Sequence, residues 1–146
     1  MKNNQHEKTT DDLLEVIKNN PLDKTIEQIQ GEQINITLGE YLKNIAKNRG
    51  LKPSDVMKKT GFHKSYFYAL LKGTKDNPSR DVLIQLCFGL ELNLDETQKF
   101  LKTFGTAMLY ARNRRDSIII HAIENRLSLT DCNINLDTYG QKILNE

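Results

Sequence analysis

The chain reads as a succession of short apolar stripes at helical spacing, most opened by a capping residue and several closed by a glycine. That cadence leaves room for little but a set of short packed helices. Thr37-Leu38-Gly39-Glu40 has the form of a capping box, followed by Leu38, Tyr41, Leu42 and Ile45 on one face and Gly50 after Lys47 and Arg49. Pro53 suits the first turn of a second helix, which runs through Val56 and Met57 to Thr60 and stops at Gly61. A third starts near His63, buries Phe67 and Leu70, and ends at Gly73. Ser79 caps a fourth, with Val82, Leu83, Leu86, Cys87 and Leu90 as its stripe. Asn93 and Glu96 open a fifth that ends at Gly105. Asn113 with Asp116, and Ser128 with Asp131, start two more. Upstream, the first ten residues read as a disordered tail, and short patterns appear at Leu13, Leu14, Ile17 and at Leu22, Ile26, Ile29. No alternation of period two and no Asn-Gly or Asp-Gly turn occurs, so the class is all-α. No long-period internal repeat is expected.

A chain of 146 residues accommodates one domain with helical additions. No run approaches the roughly 20 apolar residues of a membrane span. The start, Met1-Lys2-Asn3-Asn4, lacks the apolar stretch of a secretory signal, so a cytoplasmic location is expected. Cys87 and Cys132 lie far apart without a CxxC pattern and read as reduced core thiols, with no metal and no cofactor expected. The three histidines, His6, His63 and His121, have no partners at catalytic spacing, and no phosphate-binding or nucleophile motif occurs, so no enzyme is expected.

Net charge becomes informative once divided. Residues 1–40 hold 4 Lys/Arg against 8 Asp/Glu, residues 41–80 hold 10 against 2, and residues 81–146 hold 7 against 9. A basic block between acidic flanks is the footprint expected of a segment that binds a polyanion. Within that block, the tight turn at Gly61 between two short helices describes a helix-turn-helix. Val56, Gly61, Phe62, the polar start His63 to Ser65 and the closing Gly73 resemble, position for position, the Xre or Cro/C1-type family of phage-repressor-like regulators. The resemblance covers residues 37–104. It implies a five-helix phage-repressor-like helix-turn-helix domain at 37–105, flanked by an N-terminal tail with short helices (1–36) and a C-terminal helical extension (106–146). Asn77-Pro78-Ser79-Arg80-Asp81 and Leu109 to Asp116 are similar to a subgroup of that family carrying both extensions.

The resemblance implies a sequence-specific, double-stranded DNA-binding transcriptional regulator whose helix 63–72 enters the major groove. The helical wheel turns Lys64, Ser65, Tyr68 and Ala69 outward as base readers. Lys52, Lys72, Lys75, Asn77 and Arg80 are placed for phosphates. The family often has Gln or Thr at the start of the second helix, where Lys52 and Pro53 stand here. Tyr66 and Tyr68 put aromatic surface on the third helix, so a protein-interaction module docking a partner through that helix is the alternative. Arg112, Arg114 and Arg115 are open between a DNA flank, an acidic partner surface, the acidic residues 7–32, and a salt bridge to Asp116 or Glu124. Ile118, Ile119, Ile120, Ile123, Leu127, Leu129, Ile134, Leu136 and Leu144 exceed what one small core readily hides, which predicts a homodimer built by residues 106–146, the alternative being that the N-terminal helices at Leu13 and Ile26 fold over this surface within one chain.

Overall fold

The computed structural model describes residues 36–75 and 77–145. The patterns at Leu13 and Leu22 lie outside them. Within the described residues the chain is all-helical: α1 (Leu38–Asn48), α2 (Pro53–Thr60), α3 (Lys64–Lys72), α4 (Arg80–Gly89), α5 (Leu94–Thr103), α6 (Arg114–Glu124) and α7 (Leu129–Thr138). The caps that the sequence marks are in place. Thr37 and Glu40 close a reciprocal box on α1, as do Asn93 and Glu96 on α5. Ser79, Asn113 and Ser128 each accept the backbone N–H three residues on.

Packing joins α1 to α3, α2 to α4, α4 to α5 and α6 to α7. Two glycines set how closely the first two pairs approach. A Cβ at Gly39 would lie 2.3 Å from the Leu71 carbonyl oxygen, so α1 rides against the end of α3. A Cβ at Gly89 would lie 2.5 Å from Thr60 Cγ2 and 2.9 Å from the Val56 oxygen, so α4 presses on the backbone of α2. Only glycine permits either contact.

The chain after Gly105 shares this core. Leu109, Ile119, Ala122, Ile123, Leu129, Cys132, Leu136 and Leu144 are buried in one cluster with Leu42, Phe67 and Phe100, and Thr37–Glu146 forms a single compact unit. Most of the apolar surface that predicted an intersubunit interface is therefore spent within the chain. Of that set Ile134 remains exposed, with Ile118, Ile120 and Leu127 half-buried.

The expectation that the chain holds no long repeat is overturned. A shift of 35 residues carries α5 onto α7, the caps Asn93 onto Ser128 and Phe104 onto Tyr139, and Gly105 (φ 78) onto Gly140 (φ 70). It also carries Glu91 (φ 57) onto Arg126 (φ 56), two of the three non-glycine residues with positive φ among the described residues. Side-chain bonds follow the same shift. Gln98 spans both backbone groups of Leu109 (2.9 and 2.7 Å), and Asn133 spans those of Leu144 (2.9 and 2.7 Å). Arg80 donates to the Ala107 and Met108 carbonyls, and Arg115 to those of Lys142 and Ile143. The α4–α5 and α6–α7 hairpins are thus two copies of one unit. Arg-Asp, Leu92/Leu127, Leu94/Leu129, Leu101/Leu136, the glycine and Leu109/Leu144 persist between them, while most other positions have changed. Few matches in so short a period are easily lost among ordinary helical patterning.

The copies meet through their shared Arg-Asp pair. Arg80 forks onto Asp116 (3.0 and 2.9 Å), and Arg115 forks onto Asp81 (2.9 and 2.9 Å). Each copy's arginine takes the other's aspartate, the reciprocal exchange that defines an isologous contact, here made inside one chain.

Candidate nucleic-acid interface

The helix-turn-helix is assembled around Thr60-Gly61-Phe62. Gly61 has φ 78, a left-handed conformation that a side chain would strain. Thr60 is wholly buried, and its hydroxyl donates to the Met57 carbonyl (2.7 Å) and accepts from the Phe62 amide (3.2 Å). Gln85 of α4, also buried, donates to the Thr60 carbonyl (3.0 Å). From the second hairpin copy, Leu129 packs beneath the turn, 3.2 Å from where a Gly61 Cβ would stand. The angle between α2 and α3 is therefore held from α4 and from α7. Thr60, Gln85, Gly39 and Gly89 all carry this geometry without standing out in the sequence. Buried polar or small residues inside an apolar stripe are the signal that could have found them.

On α3, Phe67, Leu70 and Leu71 face the core. Lys64 and Ser65 are exposed at its start, Tyr68 and Ala69 are half-buried, and Lys72 is exposed one turn beyond Tyr68. The spacing of Lys64, Tyr68 and Lys72 puts them on one stripe. Both aromatics lean on their own core: the Tyr66 ring meets Phe62 edge-on at 5.2 Å, and Tyr68 meets Phe67 edge-on at 5.4 Å. After Gly73 the chain folds back, with the amides of Thr74 and Lys75 both donating to the Ala69 carbonyl. Lys75 and Asn77 are exposed, and Asn77 turns the chain at φ 57. Lys52 is exposed as the N-cap of α2.

Helix ends separate this hairpin from the rest. The starts of α1, α4, α5, α6 and α7 are each closed by a side chain. Those of α2 and α3 have no side-chain cap. Alone among the described helices, α3 also has no acid in its first turn, where Lys64 stands instead. Its N-terminus combines unsatisfied N–H donors, the positive end of the helix dipole and an ammonium group, a combination suited to an anionic ligand.

The basic block divides by use. Arg49 pairs with Glu96, Lys59 with Glu91 and Arg80 with Asp116. Lys43, Lys47, Lys52, Lys58, Lys64, Lys72 and Lys75 are exposed and form no ion pair among the described residues. Arg80, placed among the phosphate contacts by the sequence, spends Nε and both terminal nitrogens on Asp116, Ala107 and Met108. Arg115 pairs with Asp81 rather than Asp116 or Glu124, while Arg112 and Arg114 are exposed. Burial pushes the Asp116 carboxyl up, but hydrogen bonds from Arg80 and the Tyr110 amide outweigh it and hold the group below the usual carboxylate range.

Among the described residues no His/Cys/Asp/Glu group could hold a metal, and no helix is long and apolar enough to cross a membrane. Burial pushes the Cys87 thiol up to about 12 and the Cys132 thiol up to about 11, so neither is a reactive thiolate.

No curated protein and no solved structure matches the chain. A sequence model of the Cro/C1-type HTH DNA-binding domain matches residues 41–99, from α1 through most of α5. The uncapped α3, the fixed turn at Gly61 and this match agree on a Cro/C1-type helix-turn-helix domain over residues 41–99.

Proposed function

We propose that the protein is a transcriptional regulator that binds double-stranded DNA sequence-specifically, with α3 in the major groove. The observation that carries this reading is the α3 N-terminus, uncapped, free of acids and bearing Lys64. Lys64 reaches guanine O6 or N7, Ser65 serves either base type, and Ala69 touches a thymine methyl. Tyr68, half-buried against Phe67, offers its hydroxyl at the groove wall. Lys52, Lys72, Lys75 and Asn77 hold phosphates on either side. Arg80 acts by fixing the start of α4, since its guanidinium is already engaged. The reading assigns no catalysis and no cofactor.

The rival, a module that docks a partner protein through α3, loses its main support because the Tyr66 and Tyr68 rings pack on Phe62 and Phe67. A homodimer through residues 106–146 rests on what that segment leaves open, chiefly Met108, Tyr110, Ile134 and Tyr139. Sedimentation of the full chain at tens of micromolar tests it: a monomer there ends the dimer reading.

Titration of duplex DNA at increasing salt tests the main proposal. Affinity should fall steeply, with a log–log slope set by the number of phosphates neutralised, and Lys75→Ala should lower that slope by about 1. Binding that resists salt would contradict it.

A further inference from the structure

The second hairpin copy puts a charge where DNA binding is sensitive to it. Asp81 is the acid in the first turn of α4, directly after the loop that carries Lys75 and Asn77. On the reading above, that loop lies against the phosphate backbone, so a free carboxylate there would repel it. Asp81 is not free. Arg115, the first-turn arginine of α6, lays both terminal nitrogens on its two oxygens at 2.9 Å, and each side chain is 19 % exposed. Arg115 is itself fixed by its Nε on the Lys142 carbonyl (2.8 Å) and by the Ile143 carbonyl (3.4 Å). A planar guanidinium with two backbone acceptors behind it is a preorganised counter-charge.

We infer that Arg115, contributed by the C-terminal hairpin copy, is a positioning residue for DNA binding that neutralises Asp81 beside the phosphate-facing loop. This inference rests on the proposed DNA reading. It gives the C-terminal copy a task in binding without any contact to DNA, and it explains why the duplicated Arg-Asp pair is retained where surrounding residues have diverged. The neighbouring pair does a different job. Arg80–Asp116 ties α4 to the 107–110 segment, with Asp116 also accepting from the Tyr110 amide at 2.9 Å.

Charge cover and simple bracing predict opposite signs for one variant. Dissociation constants for a selected duplex are to be measured for Arg115→Gln, Asp81→Asn and the double variant, at a temperature where circular dichroism shows all of them folded. If Arg115 screens Asp81, Arg115→Gln uncovers the carboxylate and weakens binding about threefold to tenfold. Asp81→Asn leaves an extra positive charge and binds as tightly as wild type or more tightly, and the double variant returns to within about twofold of wild type. If the pair is only a brace, Asp81→Asn weakens binding as much as Arg115→Gln, and that result overturns the inference. Equal binding by all four proteins overturns it as well. Lys72→Ala separates the two levels: a loss there with no effect at Arg115 leaves the DNA reading standing and sinks the inference alone. A wild-type protein without salt-dependent DNA binding sinks both.

Discussion

The two hairpin copies, α4–α5 and α6–α7, share a backbone and differ in what they cover. In the first, the outer face of α4 receives α2, so Val82, Gln85, Leu86 and Gly89 are buried. The same positions in the second are Ser117, Ile120, His121 and Glu124, half-buried or exposed. Conversely, both copies keep the features that make the hairpin itself: the left-handed residue after the first helix, the side-chain cap, the amide bracket of Gln98 or Asn133, and the arginine on the closing carbonyls. Local geometry and partner choice are thus set by different residues. One copy became the base of the helix-turn-helix and the other its support, and a handful of face positions separates the two roles.

The largest test of that comparison is steric. Gly89→Ala drives a Cβ into the α2 backbone and should cost roughly 1–3 kcal/mol in denaturant unfolding. Glu124→Ala, at the equivalent position in the second copy, should stay within about 0.5 kcal/mol. Comparable losses at the two sites would mean that the copies are not used differently.

The crossed ion pairs come next. Asp116→Ala leaves the Tyr110 amide without its acceptor and Arg80 with only the Ala107 and Met108 carbonyls, and should cost about 1–2 kcal/mol. Asp81→Ala removes only the partner of Arg115, which keeps its carbonyl contacts, and should cost about 1 kcal/mol or less. A reversed order would break the assignment of bracing to one pair and charge cover to the other.

A smaller effect follows from proton linkage. The Asp116 carboxyl is held below its ordinary range in the folded chain, so its contribution is present above that range and is lost as pH falls below about 4. Acid unfolding of Asp116→Asn should accordingly show a shallower loss through that window than wild type. Smallest of all is the thiol response. Cys87 and Cys132, raised and buried in the first and second copies, should react with a thiol reagent at neutral pH only as fast as the chain opens.

What was legible in the sequence was local. Caps mark the starts of α1 and α4–α7, stop glycines follow α1, α3 and α5, and Pro53 and Gly61 bracket α2, because those signals depend on neighbours three or four residues away. The exposure of Lys64 and Lys72 was legible too, since a wheel through Phe67 and Leu70 fixes the opposite face of α3. Two kinds of fact were not. Arg80 carries the same residue type whether it meets a phosphate or Asp116 36 positions away, and only the fold decides. The apolar wealth of α6 and α7 reads equally as an interface or as a core, and the chain's own first copy turned out to claim it. The bare start of α3 was readable, in that Lys64 stands where each of the other described helices has a first-turn acid, but an absence gains meaning only beside six filled sites.

Selection of binding sites from a random duplex pool, run in parallel for the wild type and Lys64→Ala, tests the central claim most directly. If α3 reads DNA, the wild type enriches a defined consensus, and Lys64→Ala relaxes it at one base pair with a loss of about 1–3 kcal/mol on the preferred site. A pool that stays random through selection, or a Lys64→Ala variant that discriminates as the wild type does at every position, would contradict the account.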